Sequence, residues 1–260
     1  EDLAKECQVV IMGYCNKGLT YGSNLSFLNN SSILKIQYHI DPWHKMMAAT
    51  KLDYVITPCK SMFKRFEPFF WSPVCTDLYT EAQVRDIDIV LWGNVTKRYP
   101  LRQFMANQLE SLVVRGPDIK EGAYFYTIKL GGKEYTYLRI PLNDYFYSNH
   151  LYDLLARSRI CVTGTNSKAP HAKYFENAAC GVVTITDEFT DMEDLGFKHG
   201  KNLWATTEET FLTDLQLLLE NPNLVNQMSI NSRKLIETKH TIDIRAQELY
   251  KFLTDITGVS

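Results

Sequence analysis

The stretch Pro170-His-Ala-Lys-Tyr-Phe-Glu-Asn-Ala-Ala-Cys-Gly-Val-Val-Thr-Ile-Thr-Asp187 predicts a short helix followed by a buried strand. Apolar side chains recur in its first half at spacings of three and four, at Ala172, Phe175, Ala178 and Ala179. This spacing gives a helix one apolar face. Gly181 stands where the end of a helix needs a residue with positive φ. The β-branched run that begins at Val182 favours a parallel strand.

Two charged residues lie on the predicted helix. Lys173 and Glu176 are three positions apart, so they share one helix face. A cation and a carboxylate at the carboxyl end of a βα unit could hold a phosphate and a ribose hydroxyl. The alternative is a plain βα unit that carries an ion pair on its surface.

The pattern Lys-x-Phe-Glu-x-Ala-Ala-Cys-Gly-x-Val, followed by Thr-Asp, resembles the donor-nucleotide motif of GT-B glycosyltransferases. It is most similar to the "glycosyl transferases group 1" branch, which includes spore-maturation-type proteins. The resemblance implies that Glu176 holds the donor ribose, that Lys173 faces the diphosphate, and that Tyr174 belongs to the same donor-binding set. Many members carry a second glutamate eight residues upstream, where this chain has Lys168.

Two other segments contribute candidate donor-binding residues. The turn Gly93-Asn94 follows a predicted strand over residues 86–93 and precedes a helix predicted to start at Pro100. With Arg98 and Arg102 it forms a candidate anion site, and the family has a similar Gly-Asn-x-Thr-x-x-Tyr-Pro-x-Arg run at the donor phosphates. In the loop 164–170, small and hydroxylated residues suit a diphosphate, and Thr165 and Lys168 are the candidates there.

The predicted order of elements before residue 82 is β, β, α, β, α, which is typical of a parallel sheet. We therefore predict an α/β, GT-B-like fold with two Rossmann-like parallel-sheet domains that face a cleft. Residues 1–82 would form an unusually small N-terminal acceptor-side domain. Residues 83–260 would form the nucleotide-sugar-binding domain, and its last helix would pack back on the first domain. A β-hairpin predicted within residues 123–140 is not part of the family pattern.

His39 and Asp41 follow the second predicted strand, at the position where open α/β sheets place ligand-facing groups. The pair resembles the catalytic-side motif on the first domain of several GT-B enzymes. In an inverting enzyme one of them would deprotonate the acceptor hydroxyl. In a retaining enzyme His39 would hold the sugar. The alternative is structural, because Asp41 can cap a helix that starts at Pro42.

Composition and charge bear on the partners and the location of the protein. A net charge of −2 over 260 residues gives no basic field for nucleic acid, and no apolar run reaches the roughly 18 residues of a membrane span. The six cysteines are scattered without a paired motif, which favours a reducing, cytoplasmic location. The chain begins with Glu1, so we expect a piece of a longer polypeptide whose other domains could be partners.

The sequence thus predicts a glycosyltransferase that moves a hexosyl or pentosyl group from a UDP-, GDP- or dTDP-linked donor to a hydroxyl of a glycan or other acceptor. It predicts no cofactor and no metal site, because no Asp-x-Asp triplet with the expected flanks is present. Asp86 and Asp88 are interpreted as the polar edge of a strand. The alternative function is a non-catalytic nucleotide- or sugar-binding domain of a larger polypeptide. An oxidoreductase of the Rossmann type is disfavoured, because G-x-G-x-x-G is missing after the first strand.

Overall fold

The computed structural model describes residues 9–13, 34–38, 53–57, 70–71, 84–120, 122–141, 150–165 and 168–258. The chain divides into two compact units, Cys75–Ile242 and a unit made of Glu1–Val74 with Asp243–Ser260. The helices of the described residues are α1 (Pro100–Ser111), α2 (Leu151–Ala156), α3 (Ala172–Ala179), α4 (Phe211–Glu220), α5 (Pro222–Lys239) and α6 (Ile242–Thr257). The domain boundary predicted near residue 82 lies outside the described residues.

The unit that contains the N-terminus has a four-stranded sheet whose neighbouring strands all run parallel. Its strands follow the chain order: β1 (Val9–Gly13), β2 (Leu34–Tyr38), β3 (Tyr54–Thr57) and β4 (Phe70–Trp71). Ile36 and Ile56 are buried in this sheet. In the same unit the ring of Phe252, on α6, meets Tyr54 edge to face at a centroid distance of 5.6 Å.

The other unit has a seven-stranded sheet in the order β11-β10-β9-β5-β8-β7-β6. Its strands are β5 (Ile87–Trp92), β6 (Val113–Lys120), β7 (Ala123–Leu130), β8 (Lys133–Ile140), β9 (Ser158–Val162), β10 (Val183–Thr186) and β11 (Trp204–Ala205). Strands β11, β10, β9, β5 and β8 are parallel, whereas β7 and β6 add an antiparallel end. The carboxyl ends of β5, β9 and β10 therefore meet at one edge.

Both faces of this sheet are covered. Side chains alternate between the faces of a strand, so Ile89 and Leu91 pack in one cluster while Val90 and Trp92 pack in another. Helices α1, α4 and α5 contribute buried side chains to the first cluster, and α2 contributes to the second. Burial on both faces explains why β5 is apolar at every position except Asp88.

The predicted unit of helix and strand at residues 170–187 is present as α3 and β10. Phe175 and the two alanines near the end of α3 are buried as predicted, whereas Ala172 is exposed. Gly181 has a φ of +71°. A Cβ atom there would lie 2.5 Å from the Arg85 guanidinium and 3.0 Å from Ser229 Oγ on α5, so the position is also crowded.

The hairpin of β7 and β8 around Gly131 agrees with the prediction for residues 123–140. The preceding strand, β6, runs from Val113 to Lys120 and contains Pro117. Pro117 is tolerated because β6 lies at the sheet edge, where one side of the strand needs no ladder partner. Helix α2 begins at Leu151, and residues 142–149 before it lie outside the described residues.

Candidate functional site

The candidate site lies at the carboxyl edge of three neighbouring parallel strands. Strand β5 leads into Gly93-Asn94, β9 leads into the loop that contains Thr165, and β10 leads into Asp187. Helix α3 begins in the connection between β9 and β10. Loops at the carboxyl edge of open parallel sheets are the usual ligand-binding position of this architecture. The structure therefore brings together the candidate residues from the three sequence segments.

The turn after β5 is shaped by a glycine and by the side chain of Arg139. Gly93 has a φ of +87°, which glycine adopts without strain. Arg139 Nη1 donates hydrogen bonds of 3.2 Å to the carbonyls of Leu91 and Gly93. Asn94 and Arg98 are exposed, so both side chains are accessible to an anion at this edge.

Arg102 has a different role from the one predicted for it. Only 2% of its surface is exposed, and its guanidinium donates to the carbonyls of Asn94 (3.0 Å) and Gly164 (2.7 Å). It also lies over the ring of Tyr99, 4.1 Å from the centroid. Arg102 thus joins the turn after β5 to the loop after β9 and does not offer its guanidinium to a ligand. Burial lowers its pKa.

This contact predicts an effect on stability. Replacing Arg102 with methionine leaves two loop carbonyls without a charged donor, and we expect the free energy of unfolding to fall by about 2–4 kcal/mol. Arg98→Met is the matched control, because Arg98 is exposed, and its effect should stay within about 0.5 kcal/mol. Urea unfolding of both variants measures the difference. Equal stability of the two would contradict the bridging role.

The loop after β9 is folded around Asp187. The amide of Thr165 donates to this carboxylate at 2.8 Å and its hydroxyl donates at 2.5 Å. The same hydroxyl accepts the amide of Lys168 at 3.0 Å. The Thr165 side chain is therefore occupied in shaping the loop. Lys168 has a φ of +58° and an exposed side chain, which is accessible to a ligand.

Lys173 does not form the surface ion pair of the alternative interpretation. Its Nζ donates to the main-chain carbonyl of Trp92 at 2.8 Å and lies 4.0 Å from the centroid of the Trp92 ring. Burial, together with the positive charge of Arg102, lowers the pKa of Lys173 to about 7. The amine is therefore held beside the turn after β5, close to the balance between its charged and neutral forms at neutral pH.

Glu176 lies one turn further along α3 and is half-buried. The hydroxyl of Tyr152 donates to its Oε1 at 3.4 Å. Burial raises the pKa of Glu176, and the charge of Lys173 acts in the opposite direction. A half-buried amine with a lowered pKa and a half-buried carboxylate with a raised pKa, at the ligand-binding edge of a sheet, are typical of a functional site.

Tyr174 lies in the core and not on the ligand-facing side of α3. Its hydroxyl is 3.2 Å from Thr186 Oγ1, and its ring stacks on Phe189 at a centroid distance of 4.4 Å. The side chain is 1% exposed. Helix geometry explains the difference, because Tyr174 and Phe175 point to the core while the positions before and after them do not. The donor-binding role predicted for the Tyr174 side chain is therefore not supported by its placement.

Sequence reasoning missed Trp92 and Asn177. The Trp92 indole N–H donates to Asn177 Oδ1 at 3.0 Å, and Asn177 Nδ2 donates to Thr184 Oγ1 at 3.1 Å. These buried contacts connect β5, α3 and β10. A tryptophan as the last residue of a strand, directly before Gly93, was the available signal.

His39 and Asp41, the predicted catalytic residues, lie outside the described residues.

The opposite edge of the sheet has different features. A cleft of about 420 Å³ there is lined by Asp86, Arg115, Phe125 and neighbouring residues of the hairpin. Asp86 and Asp88 accept hydrogen bonds from Arg157 and Arg159, so the predicted structural reading of this acidic pair agrees with their contacts.

Among the described residues, no group of three or more His, Cys, Asp or Glu side chains is arranged to hold a metal ion. No helix in the same part of the chain is long and apolar enough to cross a membrane.

Comparison with known proteins identifies the family. Residues 102–251, more than half of the chain, match the family model described as "Glycosyl transferase-like". No curated protein matches the chain. Sucrose-phosphate synthase from Thermosynechococcus elongatus has a TM-score of 0.65 at 11% identity, over 97% of this chain and 74% of that one.

Two further solved structures show the same similarity. TarM has a TM-score of 0.59 at 10% identity, over 95% of this chain, which spans 54% of TarM. HepE from Anabaena, in complex with UDP and glucose, has a TM-score of 0.58 at 11% identity, over 86% of this chain and 72% of that one. These similarities confirm the predicted α/β, GT-B-like fold class. The chain belongs to the glycosyl transferase-like family.

Proposed function

We propose that the chain is a glycosyltransferase that uses a nucleotide-diphosphate sugar bound at the carboxyl edge of β5, β9 and β10. The observation that carries this proposal is the pair on α3, where Lys173 lies beside the turn Gly93-Asn94 and Glu176 follows one turn later. A cation and a carboxylate on one face of α3 are the groups that would bind a diphosphate and a ribose hydroxyl. The complex of HepE with UDP-glucose supports a nucleotide sugar as the donor class.

The binding roles follow from the position and charge of each residue. Glu176 would accept hydrogen bonds from the ribose hydroxyls. Lys173 and the N-terminal end of α3 would stabilise the leaving diphosphate, with the exposed Arg98 and Lys168 at its periphery. Negative charge grows on the diphosphate as the sugar leaves, so these groups would stabilise the transition state more than the bound donor.

The acceptor half of the reaction belongs to the proposal as well. A hydroxyl of a glycan or other acceptor would attack the sugar carbon while the bond to the diphosphate breaks, and a base would take the hydroxyl proton. We assign His39 or Asp41 to this role on the basis of the sequence. His39→Ala and Asp41→Asn should lose transfer and keep nucleotide affinity. An active Asp41→Asn enzyme would make Asp41 a helix cap, because asparagine caps nearly as well as aspartate.

Independence from metals and other cofactors is also proposed. The diphosphate would be neutralised by lysines, an arginine and a helix N-terminus, which can replace a divalent cation. Transfer should then persist in excess chelator, and a strict requirement for manganese or magnesium would overturn this part. Cytoplasmic action is proposed from the buried free thiols of Cys161 and Cys180, which suit a reducing compartment.

A thermal-shift screen against UDP, GDP, dTDP and their sugars tests the proposed donor. A nucleotide at 100-fold above its dissociation constant stabilises the fold by about 2.7 kcal/mol, which corresponds to roughly 5–10 °C for a chain of this size. We expect nucleotides of one of the three bases, uracil, guanine or thymine, to raise the melting temperature by this amount. If no nucleotide raises the melting temperature, the proposal is wrong. A shift without sugar transfer or donor hydrolysis would favour the second candidate, a non-catalytic nucleotide-binding domain.

A further inference from the structure

We propose that Trp92 is a positioning residue for the donor site, which holds the Lys173 amine where the donor diphosphate binds. This inference rests on the proposed function and adds a residue to it. Trp92 is the last residue of β5 and directly precedes the turn Gly93-Asn94. It is therefore placed between the turn and the helix that carries the donor-binding pair.

Two separate groups of Trp92 hold the amine. Its main-chain carbonyl accepts a hydrogen bond of 2.8 Å from Lys173 Nζ. Its indole ring faces the same nitrogen at 4.0 Å from the ring centroid, which is a favourable cation–π distance. Tryptophan is the best aromatic partner for a cation, and the interaction strengthens in a desolvated position. A flexible lysine side chain is thus restricted to one place before any ligand arrives.

The third contact of Trp92 fixes the helix itself. The indole N–H donates to Asn177 Oδ1 at 3.0 Å, and Asn177 in turn donates to Thr184 on β10. Asn177 is fully buried and lies four residues after Lys173, one turn along α3. The rotation of α3 about its axis is therefore fixed relative to β5. Because Lys173 lies on the same helix, this contact also fixes where the lysine side chain starts relative to the turn after β5.

Two substitutions of Trp92 distinguish the contribution of the indole N–H from that of the aromatic face. Trp92→Phe keeps an aromatic face and the main-chain carbonyl but loses the indole N–H. Trp92→Leu also loses the face. We expect affinity for the nucleotide sugar that binds wild type to fall by about 3-fold in Trp92→Phe and by about 10- to 30-fold in Trp92→Leu. Trp204→Leu is the matched control, since it removes a half-buried indole from strand β11 of the same sheet. Its affinity should stay within about twofold of wild type.

The test is a double-mutant cycle, measured by titration calorimetry with UDP-glucose, GDP-mannose and dTDP-glucose. The nucleotide sugar that binds wild type is then titrated into the Trp92 variants, into Lys173→Met and into the double variants. If Trp92 acts through Lys173, Trp92→Leu should change affinity by less than about twofold in the Lys173→Met background. The Trp92→Phe arm gives the same comparison in case the leucine variant does not fold.

Each outcome decides the inference. A loss in the Trp92 variants that disappears without Lys173 supports the positioning role. A loss of equal size in both backgrounds, or wild-type affinity in both Trp92 variants, overturns it and leaves the donor site itself in place. If wild type binds none of the three nucleotide sugars, the proposed function fails, and this inference fails with it.

Discussion

Replacing Lys173 with methionine is expected to lower the rate of sugar transfer by about 100- to 1,000-fold, the usual cost of losing one donor to a developing negative charge. The ammonium of Lys173 is held beside the turn Gly93-Asn94 by the carbonyl and the ring of Trp92. The variant should fold at least as stably as wild type, because methionine removes a buried cation and fills a similar volume. Initial rates at saturating donor, together with melting temperatures, measure both effects.

The same residue predicts a pH dependence of donor binding. Burial lowers the pKa of Lys173 to about 7, and an anionic diphosphate would raise it again in the complex. Above pH 7 the donor must therefore bind together with a proton, so affinity should fall as pH rises, by at most about tenfold per pH unit. Lys173→Met should lose this slope. Lys129→Met, on an exposed position of β7, is the control that should keep both rate and slope.

Wild-type turnover in Lys173→Met would show that the lysine is only a structural partner of Trp92. The same conclusion would follow if Lys173→Met lost both turnover and melting temperature, because reduced stability would then explain the lower rate. The expected combination, a large loss of rate with unchanged or increased stability, distinguishes a residue that serves the reaction from one that serves the fold.

Replacing Glu176 with alanine should weaken nucleotide binding by about 10- to 100-fold, the loss expected for hydrogen bonds to a charged acceptor. Glu176→Gln tests the charge separately. Burial raises the pKa of Glu176, so at neutral pH the folded state bears the cost of an ionised, half-buried carboxylate. The glutamine variant should therefore bind nucleotide less well and melt at a higher temperature.

The pH dependence of stability tests whether the ionised Glu176 carboxylate destabilises the folded chain. A carboxyl group with a raised pKa binds more protons in the folded chain than in the unfolded chain. Its contribution to stability is therefore present below the unfolded pKa and is lost as pH rises through the folded pKa. Glu176→Gln should remove this loss. Glu193→Gln, at an exposed position, is the control that should change neither nucleotide affinity nor the pH dependence of stability. Unchanged nucleotide affinity in Glu176→Ala would remove Glu176 from the donor site.

Much of the fold could be predicted because local signals agreed with the tertiary structure. The spacing of Phe175 and Ala178, the β-branched run after Val182 and the position of Gly181 each indicated one element of the unit formed by α3 and β10. The pair Gly131-Gly132 indicated the hairpin in the same way. Such signals depend on residues close in sequence, and the structure had only to bring the elements together.

The site was less predictable because its side chains contact groups that are distant in sequence. Arg102 turns inward to a carbonyl 62 positions away, at Gly164, and no local pattern separates it from the exposed Arg98. Lys173 contacts Trp92, 81 positions earlier, so the sequence showed that it shares a helix face with Glu176 but not which group it meets. Periodicity gave the face of the helix, and tertiary packing decided the contacts.

A crystal structure with a bound nucleotide sugar tests the central claim most directly. We predict that the diphosphate lies between the turn Gly93-Asn94 and Lys173, and that the ribose hydroxyls lie within hydrogen-bond distance of Glu176. A nucleotide bound at the opposite edge of the sheet, in the cleft lined by Arg115 and Phe125, would contradict this account.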